Sequence, residues 1–343
     1  MSQGTTTVDA QHGGSPGKRR RNRRGAEALM VPEADFTSYY GRPVVKAAPW
    51  EHDIAAYLFT GGVAAGTALL GAGADLTGRP ALRRVSRFGS LVSLALSMFF
   101  LVRDLGRPKR FLNMLRVAKL TSPMSVGTWI LSLHGPFAGL ATAAEVVGLL
   151  PGSWQRGPLA LVARLGRPAG ITAALTAPPV AAYTAVLLSD TATPAWHSSF
   201  RQLPFVFCGS AAAASGGLGM LGAPVDQAGP ARTFAVGGAV LELVAEHRME
   251  QAMGLPAETL HQGKAGRWML ASKALTVAGV AGAVLGRRSR ALSALSGAAL
   301  MAGSVCTRFG VFDAGIASAH DPKYTVVPQR ERLARGEVAH VPG

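Results

Sequence analysis

Residues 53–75 read DIAAYLFTGGVAAGTALLGAGAD. At ~1.5 Å per residue, a helix over this stretch is long enough to cross a ~30 Å hydrocarbon core. It is one of a series. Comparable apolar blocks lie at about 85–103, 125–150, 169–189, 204–223, 231–249, 269–286 and 291–309. The second block ends in charge at Arg103 and Asp104, and the sixth carries Glu242 and Glu246. The last two are separated only by Arg287-Arg288-Ser289-Arg290, which predicts a tight helical hairpin. A soluble all-α protein holds one or two such runs; a series of them between charged or proline-containing loops calls for a bilayer. A β-barrel also satisfies the backbone within a membrane, but it would show short alternating segments rather than continuous apolar ones. The expectation is an all-α polytopic membrane protein of about eight transmembrane helices.

Composition agrees. Of the 343 residues, 48% are hydrophobic and 16% charged, against about a quarter charged in soluble domains. Glycine is abundant, at 42 residues, as expected where membrane helices approach closely; Gly62 and Gly66 form a GxxxG pair suited to such a contact. Three regions are expected: a basic tail and interfacial lead-in over 1–45, a transmembrane domain over 46–310, and a polar C-terminal tail over 311–343 with Pro322 and Pro328. The aromatic residues Tyr39, Tyr40 and Trp50 suit the headgroup level.

The net charge of +16 and the run Lys18-Arg19-Arg20-Arg21-Asn22-Arg23-Arg24 raise the question of nucleic acid. Topology accounts for them better, because basic residues flank transmembrane helices on the cytoplasmic side. No nucleic-acid partner is expected. Nor is the tail a secretory signal, since Glu27, Glu33 and Asp35 interrupt any apolar run. The tail, with Arg103, Arg107, Lys109, Arg110, Arg116 and Lys119, orients both termini to the cytoplasm; Arg79, Arg83, Arg84 and Arg87 after the first helix weaken that bias. Cys208 and Cys306, the two cysteines, form no CxxC and lie in apolar segments. No iron–sulfur cluster, c-type haem or other metal site is expected in this chain, and no Walker A sequence is present.

Ionisable groups at membrane depth are functional candidates by default. Three constellations qualify. Glu51, His52, Asp53 and Tyr57 open the first helix, with Asp53 and Tyr57 four apart on one face. A carboxylate or imidazole beside a phenol can hydrogen-bond a quinone carbonyl and exchange its protons; the alternative is an interfacial N-cap with acidic residues complementing the helix dipole. Asp104 can pair with Arg107, with Ser122 capping the third helix, or the same loop can serve only as a topology determinant. Glu242, Glu246 and Glu250 form a stripe four apart, suited either to a proton relay or to an end-of-helix cluster in water. His134 lies well inside a helix. With only His247 near as an axial partner, it suits a packed polar contact better than b-type haem.

Several motifs carry a resemblance to a known family. They are Tyr57-Leu58-Phe59-Thr60-Gly61-Gly62, Asp104-Leu105-Gly106-Arg107-Pro108 and Ser122-Pro123-Met124-Ser125-Val126-Gly127-Thr128-Trp129, with Arg308-Phe309-Gly310-Val311-Phe312-Asp313 and Asp321-Pro322-Lys323-Tyr324 near the C-terminus. Over roughly 45–335 the chain resembles the NrfD/PsrC family, the polysulfide-reductase-type membrane subunits of respiratory complexes. The resemblance implies a quinone-reactive anchor without haem, taking menaquinone or ubiquinone. It would pair with a ferredoxin-like subunit carrying [4Fe-4S] clusters, and often with a molybdopterin oxidoreductase such as formate dehydrogenase. On this reading His52, Asp53, Tyr57, Ser125 and Trp129 surround the quinone, while Asp53, Asp104 and Glu242 handle protons. The family's helix-1 histidine falls at Tyr57, so this chain departs from the pattern there. The rival readings are a secondary transporter and a non-redox membrane anchor for a peripheral enzyme.

Overall fold

The structure is a computed structural model that describes residues 43–104, 113–116 and 118–336. Helices dominate, and no strand occurs among the described residues. In chain order they are α1 (His52–Leu76), α2 (Pro80–Asp104), α3 (Pro123–Leu149), α4 (Pro158–Ser189), the short α5 (Pro194–Ser198), α6 (Leu203–Gly222), α7 (Gly229–Met253), α8 (Gly263–Leu285), α9 (Arg290–His320) and α10 (Lys323–Ala334); a 3₁₀ turn, Leu255–Leu260, joins α7 to α8. Seven of these are long and apolar enough to cross a membrane. The eighth long helix, α7, has 25 residues and misses on apolarity alone, because Glu242, Glu246, Arg248 and Glu250 dilute its second half. The expectation of about eight membrane helices stands in that form.

Helix starts follow local chemistry. Proline occupies the first turn of α3, α4, α5, α6 and α7, where its missing N–H would be unpaired in any case. Ser122 caps α3 by accepting from Ser125 N, as its sequence context suggested. The α1–α2 turn needs a left-handed residue, supplied by Gly78 at φ 67°. The basic turn between α8 and α9 forms the expected tight hairpin, and Arg290 Nη1 braces it by donating to Met220 O at 2.7 Å. Three helices outrun their apolar blocks. The turns that open α2 and α4 are rich in arginine, and α9 continues to His320 through a stretch of mostly small residues, interrupted by Asp313, that is largely buried within the protein.

Burial shows which helices face lipid. In its most apolar 18-residue stretch α1 is 83% buried, against 28% for α2 and α8. α1 is therefore the central element, and it packs on α2, α4, α6 and α9. The outer helices turn large apolar side chains outward, including Val92, Leu96 and Phe99 on α2 and Leu270, Val277 and Leu285 on α8. Small residues set the close approaches. A Cβ at Gly62 would stand 3.2 Å from Ala211 Cβ, and one at Gly66 would collide with the Ser215 side chain. The GxxxG pair is thus the α1–α6 contact.

Antiparallel connections give the bundle two ends. The entry end holds the start of α1, the ends of α2 and α9, and α10. The far end holds the 77–79, 223–228 and 286–289 turns.

Candidate functional site

At the entry end, the polar residues of early α1 are drawn to two other helices, α2 and α9. His52 Nε2 lies 3.0 Å from Asp313 Oδ1 on α9, and the ring stacks on Phe309 and tilts against Phe312 at centroid distances of 5.6 and 5.8 Å. Asp53 Oδ2 pairs with Arg103 Nε at 2.9 Å. Glu51 N donates to Asp104 Oδ1 at 3.5 Å, which brings the last residue of α2 beside Asp53 and Glu51. Glu51 occupies the N-cap position of α1 without a side-chain cap bond, and Asp53 is the acidic residue of the first turn, so the capping alternative stands beside the ion pair that Asp53 makes with Arg103.

An aromatic floor lies beside this cluster. Trp196 sits 5.7 Å from Phe312 and 5.8 Å from Trp50, and its indole N–H donates to Val311 O at 2.8 Å. Only glycine fits opposite, since a Cβ at Gly315 would run into the indole.

His52 is the open group, with its side chain 61% exposed, whereas Tyr57 is 2% exposed. The Tyr57 hydroxyl has no hydrogen-bond partner among the described residues. Its carbonyl accepts from Thr60 and Ser97 at 3.3 and 3.4 Å. Five residues in from His52, Tyr57 lies roughly 7–8 Å below the helix start. From the rim, His52 is therefore accessible, while Tyr57 is covered by other side chains.

Ser125 and Trp129 sit elsewhere, in the first turns of α3, which packs on α4 and α2. Ser125 Oγ accepts from Lys119 N at 2.9 Å, and Trp129 is 45% exposed. No hydrogen bond or ring contact joins either to Tyr57 or Asp53. Arg107 lies outside the described residues, and with it the Asp104–Arg107 pair.

A second polar assembly runs through the other half of the bundle. Glu242 is 1% exposed on α7, and its Oε1 accepts from Thr307 Oγ1 at 2.6 Å. Thr307 also contacts Ser272 Oγ at 2.7 Å, and Glu242 Oε2 is buried without a partner. Arg308, also 1% exposed, provides the countercharge to Glu242. Its Nη2 donates to Phe207 O at 2.8 Å, and the guanidinium carbon lies 3.7 Å from the centroid of the Phe207 ring. A Cβ at Gly62 would meet this guanidinium at 3.3 Å, so Arg308 also touches the centre of α1.

Toward the entry end the stripe continues. Lys273 Nζ lies 3.2 Å from Glu246 and 2.9 Å from Glu250, and His261 Nε2 lies 3.7 Å from Glu250. The exposed end of this series is His261, at 56%, and Glu246 is 2% exposed. Glu242 is eleven residues from the end of α7 at Met253, or ~16 Å along the axis, near the middle of a ~30 Å core. The stripe is therefore a graded series from surface to mid-depth rather than a cluster wholly in water.

Sequence reasoning missed two things here. Asp313, Phe309 and Phe312 were visible only as part of a motif, with no signal that they meet His52. At the far end, Asp75, Arg83, Arg87 and Glu145 form a buried ion cluster. Arg87 contacts Glu145 at 2.9 Å and Asp75 at 3.3 Å, and Arg83 contacts them at 2.5 and 3.1 Å. The signal was a lone acid, Glu145, inside the third apolar block. His134 is a packed polar contact as expected: it is fully buried, with Nδ1 2.9 Å from Thr176 Oγ1. His247 is exposed and pairs with Gln251 at 3.0 Å.

These features define a multi-pass helical membrane protein with ionisable residues buried between its helices. A family profile described as "Polysulphide reductase, NrfD" matches residues 44–223. The match covers just over half the chain, and the protein belongs to the NrfD family. Members of this family are membrane subunits of redox complexes, associated with the quinone pool and typically paired with iron–sulfur and molybdopterin subunits. No curated protein matches the chain. The matched region contains His52, Asp53, Tyr57 and Asp104, and ends before Glu242, Arg308 and Asp313.

Proposed function

We propose that this chain is the quinone-interacting membrane subunit of a respiratory oxidoreductase complex. It takes its substrate, menaquinone or ubiquinone, from lipid and exchanges electrons with an iron–sulfur subunit, which in turn pairs with a molybdopterin oxidoreductase. The observation that carries this reading is the convergence of His52, Asp53, Asp104 and Asp313 at one end of the bundle beside an aromatic floor, within a chain of this family. A quinone ring needs an apolar bed and hydrogen-bonding groups for its carbonyls; Phe309, Phe312 and Trp196 supply the first, His52 and the unpartnered Tyr57 hydroxyl the second.

The chain's own residues bind the head group and move its protons. His52 is oriented by Asp313, so that one ring nitrogen is held and the other faces outward; protonated, it donates to a carbonyl oxygen. Asp53 and Asp104, with Arg103 beside them, form the proton-exchanging rim. Glu242, Glu246 and Glu250, the last two bridged by Lys273, offer a second path from the entry end to mid-depth. The protein positions and protonates, while the redox chemistry belongs to quinone and clusters. Ser125 and Trp129, in the first turns of α3, are set apart from this group and take no part in the binding proposed here. The entry end, where α1 begins and α10 lies, faces the cytoplasmic side of the cell's inner membrane.

The test is quinone-linked turnover of the purified native complex. Asp53→Asn and His52→Gln should each lower it at least tenfold while the complex still assembles; unchanged turnover in both would remove the site. Glu242 beside Arg308 at mid-depth favours, as the second reading, a secondary transporter. Co-purification of a cysteine-rich partner argues for the first reading. Purification alone, with substrate uptake by the isolated chain in vesicles, argues for the second.

A further inference from the structure

A groove of about 1250 Å³ opens on the lipid-facing side between α1, α7 and α8, toward the far end. Its body is apolar, lined by Leu69, Leu70, Phe234, Leu241 and Val284. Gly73 and Gly237 deepen it, and a Cβ at either would meet nothing within 4 Å. Its volume exceeds the ~300–1,000 Å³ of ordinary small-molecule pockets.

The mouth is polar and has one sign. Arg79, Arg232 and Arg287 line it, from the α1–α2 turn, the first turn of α7 and the α8–α9 turn respectively. No acidic residue lines the groove among the described residues. Nor are these guanidinium groups spent within the protein. Arg79 Nη1 donates to the carbonyls of Asp226 and Gln227 at 3.1 and 3.5 Å, which leaves its Nε buried without a partner. Arg232 Nε and Nη2 are likewise buried and unpaired. Arg287 adds a third positive charge close enough to act on Arg232. Three cations do not gather unpaired at a membrane surface unless an anion joins them.

We propose that this groove holds an anionic phospholipid, with its phosphate at Arg79, Arg232 and Arg287 and an acyl chain along α7. The dimensions agree. From Arg232 to Leu241 is nine residues, or ~14 Å of helix, about half of a ~30 Å hydrocarbon core and so the depth of one leaflet. Basic pockets between membrane helices at the headgroup level select anionic lipids, each arginine contributing roughly 1 kcal/mol. No carboxylate, imidazole or phenol lines the groove among the described residues, so it lacks the proton-exchanging groups of the entry-end site. A free phosphate would leave the apolar body unfilled. The inference rests on the membrane setting and is independent of the quinone reading.

The test uses the intact complex, stripped of lipid in mild detergent and titrated with phosphatidylglycerol or phosphatidylcholine, with bound lipid counted by native mass spectrometry. The protein should retain phosphatidylglycerol under conditions that remove phosphatidylcholine. Arg232→Gln/Arg287→Gln should weaken retention on the order of thirty-fold, from two contributions of the size above. Leu241→Trp should weaken it with every charge kept, and Arg288→Gln, outside the groove, should not. Thermal unfolding of each variant separates loss of the site from loss of the fold. Equal retention of the two lipids, unchanged retention in the double variant, inorganic phosphate competing fully with the lipid, or quinone bound in its place would overturn the proposal.

Discussion

Removing the Glu145 charge should test the far-end ion cluster most severely. Glu145 is 4% exposed and accepts three contacts: Arg83 Nε at 2.5 Å, Arg83 Nη2 at 3.3 Å and Arg87 Nη1 at 2.9 Å. Asp75 accepts one from each arginine, at 3.1 and 3.3 Å. In Glu145→Gln the two guanidinium groups share one carboxylate, and Arg87, 8% exposed, cannot turn to water. Breaking a buried pair costs ~3–5 kcal/mol. Because Asp75 remains, the lower end applies, and ~3 kcal/mol is roughly a hundredfold in the folding equilibrium. Asp75→Asn should cost less, since it removes fewer contacts.

The assay is reversible unfolding in mixed micelles, arranged as a double-mutant cycle with Arg87→Met. Arg87→Met alone should also cost stability, because it takes one close cation from both Asp75 and Glu145. Arg87→Met/Glu145→Gln should be far less harmful than the sum of the singles, because the Arg83–Asp75 pair persists and no buried charge is orphaned. A Glu145→Gln cost below ~1 kcal/mol, or single effects that simply add, would show that the ions are solvated and refute the reasoning.

Glu242→Gln retains an oxygen for Thr307 and should spare the fold while slowing proton-coupled turnover, measured with quinol in proteoliposomes; Glu250→Gln, nearer water, should do less. Gly66→Val forces a side chain into Ser215 and should cost ~1–3 kcal/mol in micelle unfolding. Gly73→Ala, with open space around its Cβ, should gain up to ~1 kcal/mol. At the membrane surface, Lys323 donates to Glu258 at 2.9 Å, and that bond holds its pKa above the ordinary lysine value. A base raised in the folded state stabilises below its unfolded pKa and loses that effect only as pH climbs through the folded value. The α10 tether should therefore hold through neutral pH and release in strong alkali, read as protection of α10 from hydrogen exchange or proteolysis.

Much of this fold was legible because a bilayer writes its demands in long apolar runs, and the runs survive without knowledge of packing. The GxxxG pair, the Ser122 cap and the basic hairpin turn were readable for the same reason: each is local. Boundaries were not. α9 extends to His320 because Ser318, Ala319 and their neighbours are buried against protein, where apolarity is no longer required. The α7 carboxylates stood out by their spacing, yet nothing in the spacing revealed that Thr307, Lys273 and Arg308 answer them from α8 and α9. Likewise Asp75 and Glu145 look like isolated charges along the chain, and their arginine partners look like topology signals. Pairing across helices is a tertiary fact, and single-sequence periodicity carries none of it.

One short segment of α9 joins the two polar assemblies. Arg308 donates to the Phe207 carbonyl, touches the centre of α1 and acts by its charge on Glu242; one and a half turns later, Asp313 holds His52 at the start of α1. Phe309 and Phe312, between them, supply the rings under His52. The entry-end site is therefore composite: its exposed imidazole lies in the region that carries the family match, and its orienting carboxylate and aromatic bed lie beyond it. A change in the register or tilt of α9 would move the partner of His52 and the countercharge of Glu242 together. If the proposed function holds, that mechanical link would couple occupancy at the rim to the protonation of a carboxylate at mid-depth, without either group touching the other.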